Sequence, residues 1–248
     1  MRFATEDFRD GYYMWSDGHS DVYAADIEHF DSFAMKGKMT SELPRRRSTV
    51  VIKRLRPEYC RKGKDKFFEK IETLSRCMHP NIVSLLGFCN EHPHMIFVFE
   101  YASNGSLEGN LDKLTNLTWV QRIKICIDIA RGLDYLHTPV GVKQRLIHGD
   151  LSSAHILLGK NFEAKIADST YNNFDLLDQM TSELYAETNV YMDPEYEKTR
   201  KMETASDVYS FGVILFDLLV FLVAVDLEVC LQETHRFLEW WLQTSEMT

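Results

Sequence analysis

The sequence predicts an α+β fold in two lobes, a small β-rich one over residues 1–102 and a larger, mostly α-helical one over 103–248. Two observations carry this expectation. Before about residue 103 the apolar residues come in short β-branched or aromatic runs bounded by polar turns. After it they recur at helical spacing. With 248 residues and 45% hydrophobic content, the chain has enough apolar material for a sizeable core.

The strand-rich part reads in order. "STVVIKRL" at 48–55 is β-branched and ends in charge, as a strand does. "KDKFFEKIETLSRC" at 64–77 sets Phe67, Phe68, Ile71, Leu74 and Cys77 at helical spacing, and "HPN" at 79–81 breaks the helix. "IVSLLGFC" and "HMIFVFEY" are two further strands joined by the turn "NEHP", which puts His92 and His94 at the surface.

The helical part opens with the turn "NGS" at 104–106. Over 118–137, Val120, Ile123, Ile127, Ala130, Leu133 and His137 fall on or near one face, with Thr118 as N-cap. "FGVILFDLLVFLVAV" at 211–225 is shorter than the ~20 residues a spanning helix needs and has Asp217 in its middle. It reads as a buried core helix. The change of character near residue 103 implies a cleft between the lobes, a common place for a ligand.

Composition narrows the function. A net charge of −9 argues against nucleic acid as a partner, and the short run Arg45-Arg46-Arg47 reads as a solvated loop. Five scattered cysteines, an odd number with no C-x-x-C pair, suggest a reducing, intracellular compartment. The N-terminal "MRFATEDFRD" has no apolar signal core.

Seven motifs then follow in a fixed order. They are "VVIK" ending at Lys53, "HPNIVSLLGFC", "FVFEYASNGSL", "HGDLSSAHILL", "KIADST" with Asp168, "YMDPEY" with Glu195 and "SDVYSFGVILF" with Asp207, with "FATEDF" ahead of them. Together they resemble the intracellular domain of plant receptor-like Ser/Thr protein kinases, over roughly residues 3–219. The resemblance implies a bilobal protein-kinase-like fold. It fades after about residue 219, so the helical lobe is expected to be truncated or re-covered after its central helix. Trp240 and Trp241 are expected to cap exposed core, the alternative being that they bind a partner.

Kinases catalyse by positioning phosphates and metals, so each part can be checked at its own position. The resemblance makes Asp150 the catalytic base and Lys53 the lysine on the α- and β-phosphates. It makes Asp168 a metal ligand, and Val22, Val51, Glu100, Ala102 and Leu157 the surroundings of the adenine, with Phe99 as gatekeeper. The rest departs from the pattern. Trp15, Asp17 and Ser20 stand at the three glycine positions of the phosphate-covering loop, where a residue without Cβ lets the backbone approach. Lys70 stands where a helix glutamate should pair with Lys53, with Glu69 one position away as the alternative. Ser152 replaces a phosphate-holding lysine. His155 replaces the asparagine that binds magnesium, an ion that prefers oxygen ligands. Ser169 and Thr170 replace the Phe and Gly after Asp168, leaving a gap in the column Leu85, Leu74, Ser169, His148, Asp207. Gly149 replaces an arginine that grips a phosphorylated loop. Glu187, Asn189 and Val190 surround Thr188 in place of the family's pattern. Glu195 lacks its late arginine partner, Arg236 being outside any matching motif.

These departures imply a pseudokinase, a non-catalytic binding or allosteric module in signalling. The alternative is a weakly active ATP-dependent Ser/Thr kinase, since Lys53, Asp150 and Asp168 are retained. ATP binding is expected to be weak or absent and magnesium binding doubtful. Expected partners are other proteins, kinase domains or receptors. The expected location is the cytoplasm, with partners holding the chain at the inner face of the plasma membrane.

Overall fold

The structure is a computed structural model that describes residues 3–16, 19–30, 45–60, 64–91, 94–111, 117–139, 145–167 and 190–219. The expectations on Asp17, Gly18, His92, Asp168, Ser169, Thr170, Glu187, Thr188, Asn189, Arg236, Trp240 and Trp241 therefore lie outside the described residues.

Five antiparallel strands form one sheet: β1 (Tyr13–Ser16), β2 (Ser20–Phe30), β3 (Arg45–Leu55), β4 (Leu85–Cys89) and β5 (Ile96–Glu100), in the order β1-β2-β3-β5-β4. Directly opposed residues in antiparallel strands share a face, so the register sorts the side chains. Tyr23 with Ile52 and Ala25 with Val50 lie on one face, together with Ile96 and Val98. The N-terminal segment covers that face. Its Phe8 is buried, meets Tyr23 edge-on at 5.3 Å and carries the Arg54 guanidinium 4.5 Å from its ring. Glu6, Asp7 and Phe8 all have positive φ, 47°, 61° and 62°. The buried Thr5 holds this tight left-handed turn, its hydroxyl accepting from Phe8 N at 3.0 Å.

The other face carries Val22 opposite Lys53, Ala24 opposite Val51, and Lys53 in turn opposite Phe97. Between β3 and β4 come one helical turn, α1 (Pro57–Cys60), and helix α2 (Lys64–Arg76). Helix α2 buries Phe67, Ile71 and Leu74 against this side, and Phe67 meets Phe97 at 4.6 Å. The remaining elements are α3 (Glu108–Leu111), α4 (Trp119–His137), the hairpin β6 (Ile156–Leu158) with β7 (Ala164–Ile166), α5 (Pro194–Thr199) and a helix over 204–219, labelled α6. A continuous core runs from Phe67 and Leu74 of α2, through Ile125, Ile129 and Leu133 of α4, to Ile214 and Leu218 of α6.

One joint ties α2 and β4 to the helical part. Asn81 Nδ2 donates to Ala164 O, Ile166 N donates to Asn81 O, and Val83 N donates to Ile166 O, all at 2.9 Å. Helix α4 crosses this joint at Gly132. A Cβ there would lie 2.9 Å from Asn81 O and 2.7 Å from Ile166 Cδ1. Glycine is required because backbone fills the space where its side chain would go.

Four expectations need correcting. Arg45–Arg47 are not a loop; they continue β3, paired with Glu28, His29 and Phe30 of the long β2. Their side chains stay exposed, and Arg45 lies 3.7 Å from Glu28, so cross-strand charge lets the ladder continue. His94 is half-buried rather than a free surface residue, with its ring 5.9 Å from Phe8. Phe68 lies off the buried face of α2 and is exposed. The buried face of α4 is also rotated from the expected one: Arg122, Ile125, Asp128, Ile129, Gly132, Leu133 and Leu136 are buried, while Val120 is 75% and Ile127 45% exposed. Two buried polar residues explain the misreading. Arg122 donates to Leu117 O and Leu218 O, and Asp128 accepts from Ala164 N, so the core face of this helix carries charge that a pattern of apolar residues passes over. Thr118 caps α4 as expected, in a reciprocal capping box with Gln121.

Truncating Ile129 to Ala should therefore cost about 2–5 kcal/mol, whereas Val120→Ala should stay within about 0.5 kcal/mol; urea unfolding of the two variants measures both.

The His79 ring stacks on Tyr135 at 4.9 Å and its Nδ1 accepts from Asn81 N at 3.1 Å. Burial pushes its pKa down, Arg131 adds to the shift and Asp134 opposes it. A histidine whose folded pKa is depressed takes up protons more readily when unfolded. Its stability contribution is thus intact above pH 6.5 and is lost as pH falls from 6.5 towards the lower folded value. The urea midpoint should fall more steeply on acidification in the wild type than in His79→Gln.

Candidate functional site

The site is built on the loop that precedes β6. The buried His148 donates its backbone N–H to Asp207 Oδ2, and Gly149 donates to Asp207 Oδ1, both at 2.8 Å. Asp207, on α6, has a side chain only 1% exposed, and its Oδ2 lies 2.7 Å from His137 Nε2 on α4. One carboxylate thus fixes the loop to two helices. The His148 ring faces the other way: Nδ1 accepts from Asp150 N at 3.2 Å, which leaves Nε2–H to donate to Ala167 O at 3.0 Å. Asp150 is held by backbone and stays partly open to solvent.

His155 closes the loop. Its Nδ1 donates to Asp150 O at 2.6 Å, with Ser152 Oγ 3.2 Å away, and its ring lies 6.1 Å from that of His148. Imidazole therefore keeps the loop's shape from the asparagine position. It does not offer the oxygen that magnesium prefers, and the nitrogen facing the loop is already in use. Among the described residues there is no group of three or more His, Cys, Asp or Glu that could hold a metal ion.

Across the cleft, Lys53 sits on β3 between Val22 and Phe97. Lys70 is half-buried and turned toward the sheet, its Nζ 5.8 Å from the Phe97 ring centroid. Glu69 and Glu72 are exposed, and Glu72 pairs with Arg76. The cation, and neither glutamate, occupies the inward position of α2. Trp15 lies opposite Val22 and so stands on the cleft face, 46% exposed, with Val51 and Phe99 paired deeper in the same face. Ala102 is buried beside the hinge, and Leu157 pairs with Lys165 and bridges to Ser106.

Sequence reasoning missed three groups. Glu100, expected only beside the adenine, ties the hinge: it accepts from Ser84 N at 2.8 Å and pairs with Lys165 Nζ at 3.0 Å, largely shielded from solvent. His137 supports Asp207. Tyr191 donates to Asp217 Oδ2 at 2.8 Å and lies 2.9 Å from Ser153 Oγ, joining the loop before β6 to α6. Burial pushes the Tyr191 pKa up, with Asp217 adding to it. Asp217, anomalous in its apolar run, is satisfied by this bond. No spacing signal marks these pairs, because their partners are 16 to 70 residues apart in sequence. Glu195 is exposed, with Lys198 at 3.8 Å.

An antiparallel five-stranded sheet joined at a hinge to helices, with a loop closed on a buried aspartate, defines a protein-kinase-like domain. Comparison with known proteins agrees. A family model for protein tyrosine and serine/threonine kinases matches residues 32–233. The chain is similar to the receptor-like protein kinase HERK 1 of Arabidopsis thaliana, 44% identical over 174 residues, covering 68% of this chain and 21% of that protein. It is similar to THESEUS 1 of the same plant at 40% over 195 residues, covering 77% and 22%. Among solved structures it resembles the pseudokinase domain of BIR2, described as an immune regulator of the RLK/Pelle family, with TM-score 0.62 and 29% identity over 88% of this chain and 61% of that one. The chain belongs to the protein kinase family, among the plant receptor-like kinases. It spans only 21% to 22% of the length of these two curated relatives.

Replacing Asp207 with Asn removes a buried charge from two backbone donors and a histidine. We expect a loss of about 3 kcal/mol in urea unfolding, near the range for breaking a buried charge-assisted network.

Proposed function

We propose that this chain is a pseudokinase: a kinase-like domain that transfers no phosphate and acts by binding other proteins in signalling. The carrying observation is His155. Its Nδ1 maintains the loop through Asp150 O while its ring supplies no oxygen for magnesium. Lys70 supports the same reading, since an inward cation cannot form the ion pair that positions Lys53 in an active kinase. Magnesium-dependent ATP binding is weak or absent on this account. The likeness to a pseudokinase domain described as an immune regulator supports a regulatory role through receptor or kinase-domain partners. Such partners place the chain in the cytoplasm, at the inner face of the plasma membrane. Among the described residues no helix is long and apolar enough to cross a membrane.

A second reading, a weakly active Ser/Thr kinase, is favoured by one observation. Asp150 sits in an intact loop, anchored through His148 to Asp207. Incubation with labelled ATP, magnesium or manganese and a generic protein acceptor separates the two. We expect incorporation no higher than in Asp150→Asn. Incorporation that disappears in Asp150→Asn would establish the second reading and end the first.

A further inference from the structure

Helix α4 carries two apolar faces, and the core takes only one of them. Ile125, Ile129, Leu133 and Leu136 are buried in the continuous core. Trp119, Ile123, Ile127 and Ala130 form a second stripe at helical spacing, with Val120 at its edge. This stripe lies about 120° around the helix from the buried set. Among the described residues, neither hydrophobic cluster of the core includes any of these five. Trp119 is 55% exposed, Ile127 and Ala130 are exposed as well, and Ile123 is half-buried. A single exposed apolar side chain is ordinary, but a contiguous stripe marks a surface that something covers.

The path of the chain and its sequence indicate the occupant. Leu218 O accepts from Arg122 Nη1 at 3.1 Å, so α6 ends beside the first turns of α4. The chain then continues as "VFLVAVDLEVCLQETHRFLEWWLQTSEMT" from residue 220. Between residues 219 and 227 an extended chain reaches up to ~26 Å, which exceeds the ~10 Å thickness of a helix and suffices to pass from the inner to the outer side of α4. Within this segment Leu227, Leu231, Leu238 and Trp241 stand four, seven and three residues apart, the spacing of one helical stripe. At a helical rise Leu227 to Trp241 would cover ~21 Å, enough for the ~16 Å from Trp119 to Ala130. Charge is complementary too. Exposed Lys124 and Arg131 border the stripe on one side, and Asp134 stands at its far end. The segment carries Asp226, Glu228, Glu233, Glu239 and Glu246, with Arg236 as its one arginine and no lysine.

We propose that residues 220–248 of this chain dock on the second face of α4, setting Leu227, Leu231, Leu238 and Trp241 against Trp119, Ile123, Ile127 and Ala130. A partner protein that uses this face must then displace the segment. The inference is independent of whether the domain transfers phosphate.

Arg236 provides the test. It is the only lysine or arginine after Lys201, so trypsin removes residues 237–248 in one cut that mass spectrometry follows. The rate of that cut reports the population of undocked segment. In the whole wild-type chain it should be ~10-fold or more slower than the cut after the exposed Lys201. Trp119→Asp and Ile127→Asp each place a carboxylate in the apolar contact and should speed the cut after Arg236 ~10-fold or more. Leu231→Asp should do the same from the other side of the contact. Phe216→Asp, on the exposed side of α6 away from Ile214 and Leu218, should leave the rate unchanged. Cooperative melting of each variant confirms that it folds. A wild-type cut after Arg236 as fast as that after Lys201, protection that the α4 variants leave intact, or protection that Phe216→Asp removes would overturn the proposal. Protection that fades on dilution, with a dimer in sedimentation, would overturn it as well by assigning the face to a second copy of the chain.

Discussion

The buried carboxylate of Asp207 is the constraint on which the lower half of this molecule depends. It comes from α6, takes two N–H bonds from consecutive residues of the loop, and meets His137 from α4. A charge so deeply buried is tolerated only when hydrogen bonds replace water. The chain has met that requirement with backbone rather than with side chains of the loop. The two bonds to Asp207 come from groups that every residue possesses, and the rest of the loop's path is held by the His148 and His155 rings. Gly149, Ser152 and His155 depart from the kinase pattern, yet the loop still closes, with the His155 ring bonded to Asp150 O.

The two parts of the chain are held in register by a second set of bonds. Asn81 lies between α2 and β4, yet its side chain and carbonyl both bond to residues of the β7 hairpin strand. Gly132 lets α4 lie directly on that joint. Glu100 and Lys165 add a shielded ion pair between the end of β5 and β7. All of these contacts lie behind the cleft rather than in it.

Much of this was legible in the sequence, and the misses share a cause. Strands β3, β4 and β5, helix α2 and the Thr118 cap followed from periodicity and local chemistry, because their signals lie within a few residues of each other. The inward placement of Lys70 was readable because Ile71 and Leu74 fix the helix phase. The face of α4 was misread because Arg122 and Asp128 are core residues that look like surface ones. Their partners, Leu218 and Ala164, lie 96 and 36 residues away. The Tyr191–Asp217 bond and the Glu100–Lys165 pair were missed for the same reason. Hydrophobic pattern reports what a helix turns away from water; it does not report which polar group finds a buried partner.

The separation of shape from chemistry also explains how a kinase fold can exchange the asparagine at position 155 for histidine and keep its loop closed. Asparagine at position 155 would have two duties, a bond to Asp150 O and an oxygen for magnesium. Only the first contributes to folding, because the metal is absent from the folding equilibrium unless it binds. Histidine retains the first duty through Nδ1 and drops the second. Lys70 makes an equivalent exchange: an inward glutamate would be stabilised chiefly by Lys53, whereas a lysine whose Nζ lies near the Phe97 ring gains a cation–π contact and buries its methylene chain. On the pseudokinase reading, each change gives up a catalytic role and keeps, or replaces, the contact that holds its element in place. A domain altered in this way keeps its loop closed on Asp207 and its α2 face packed on the sheet.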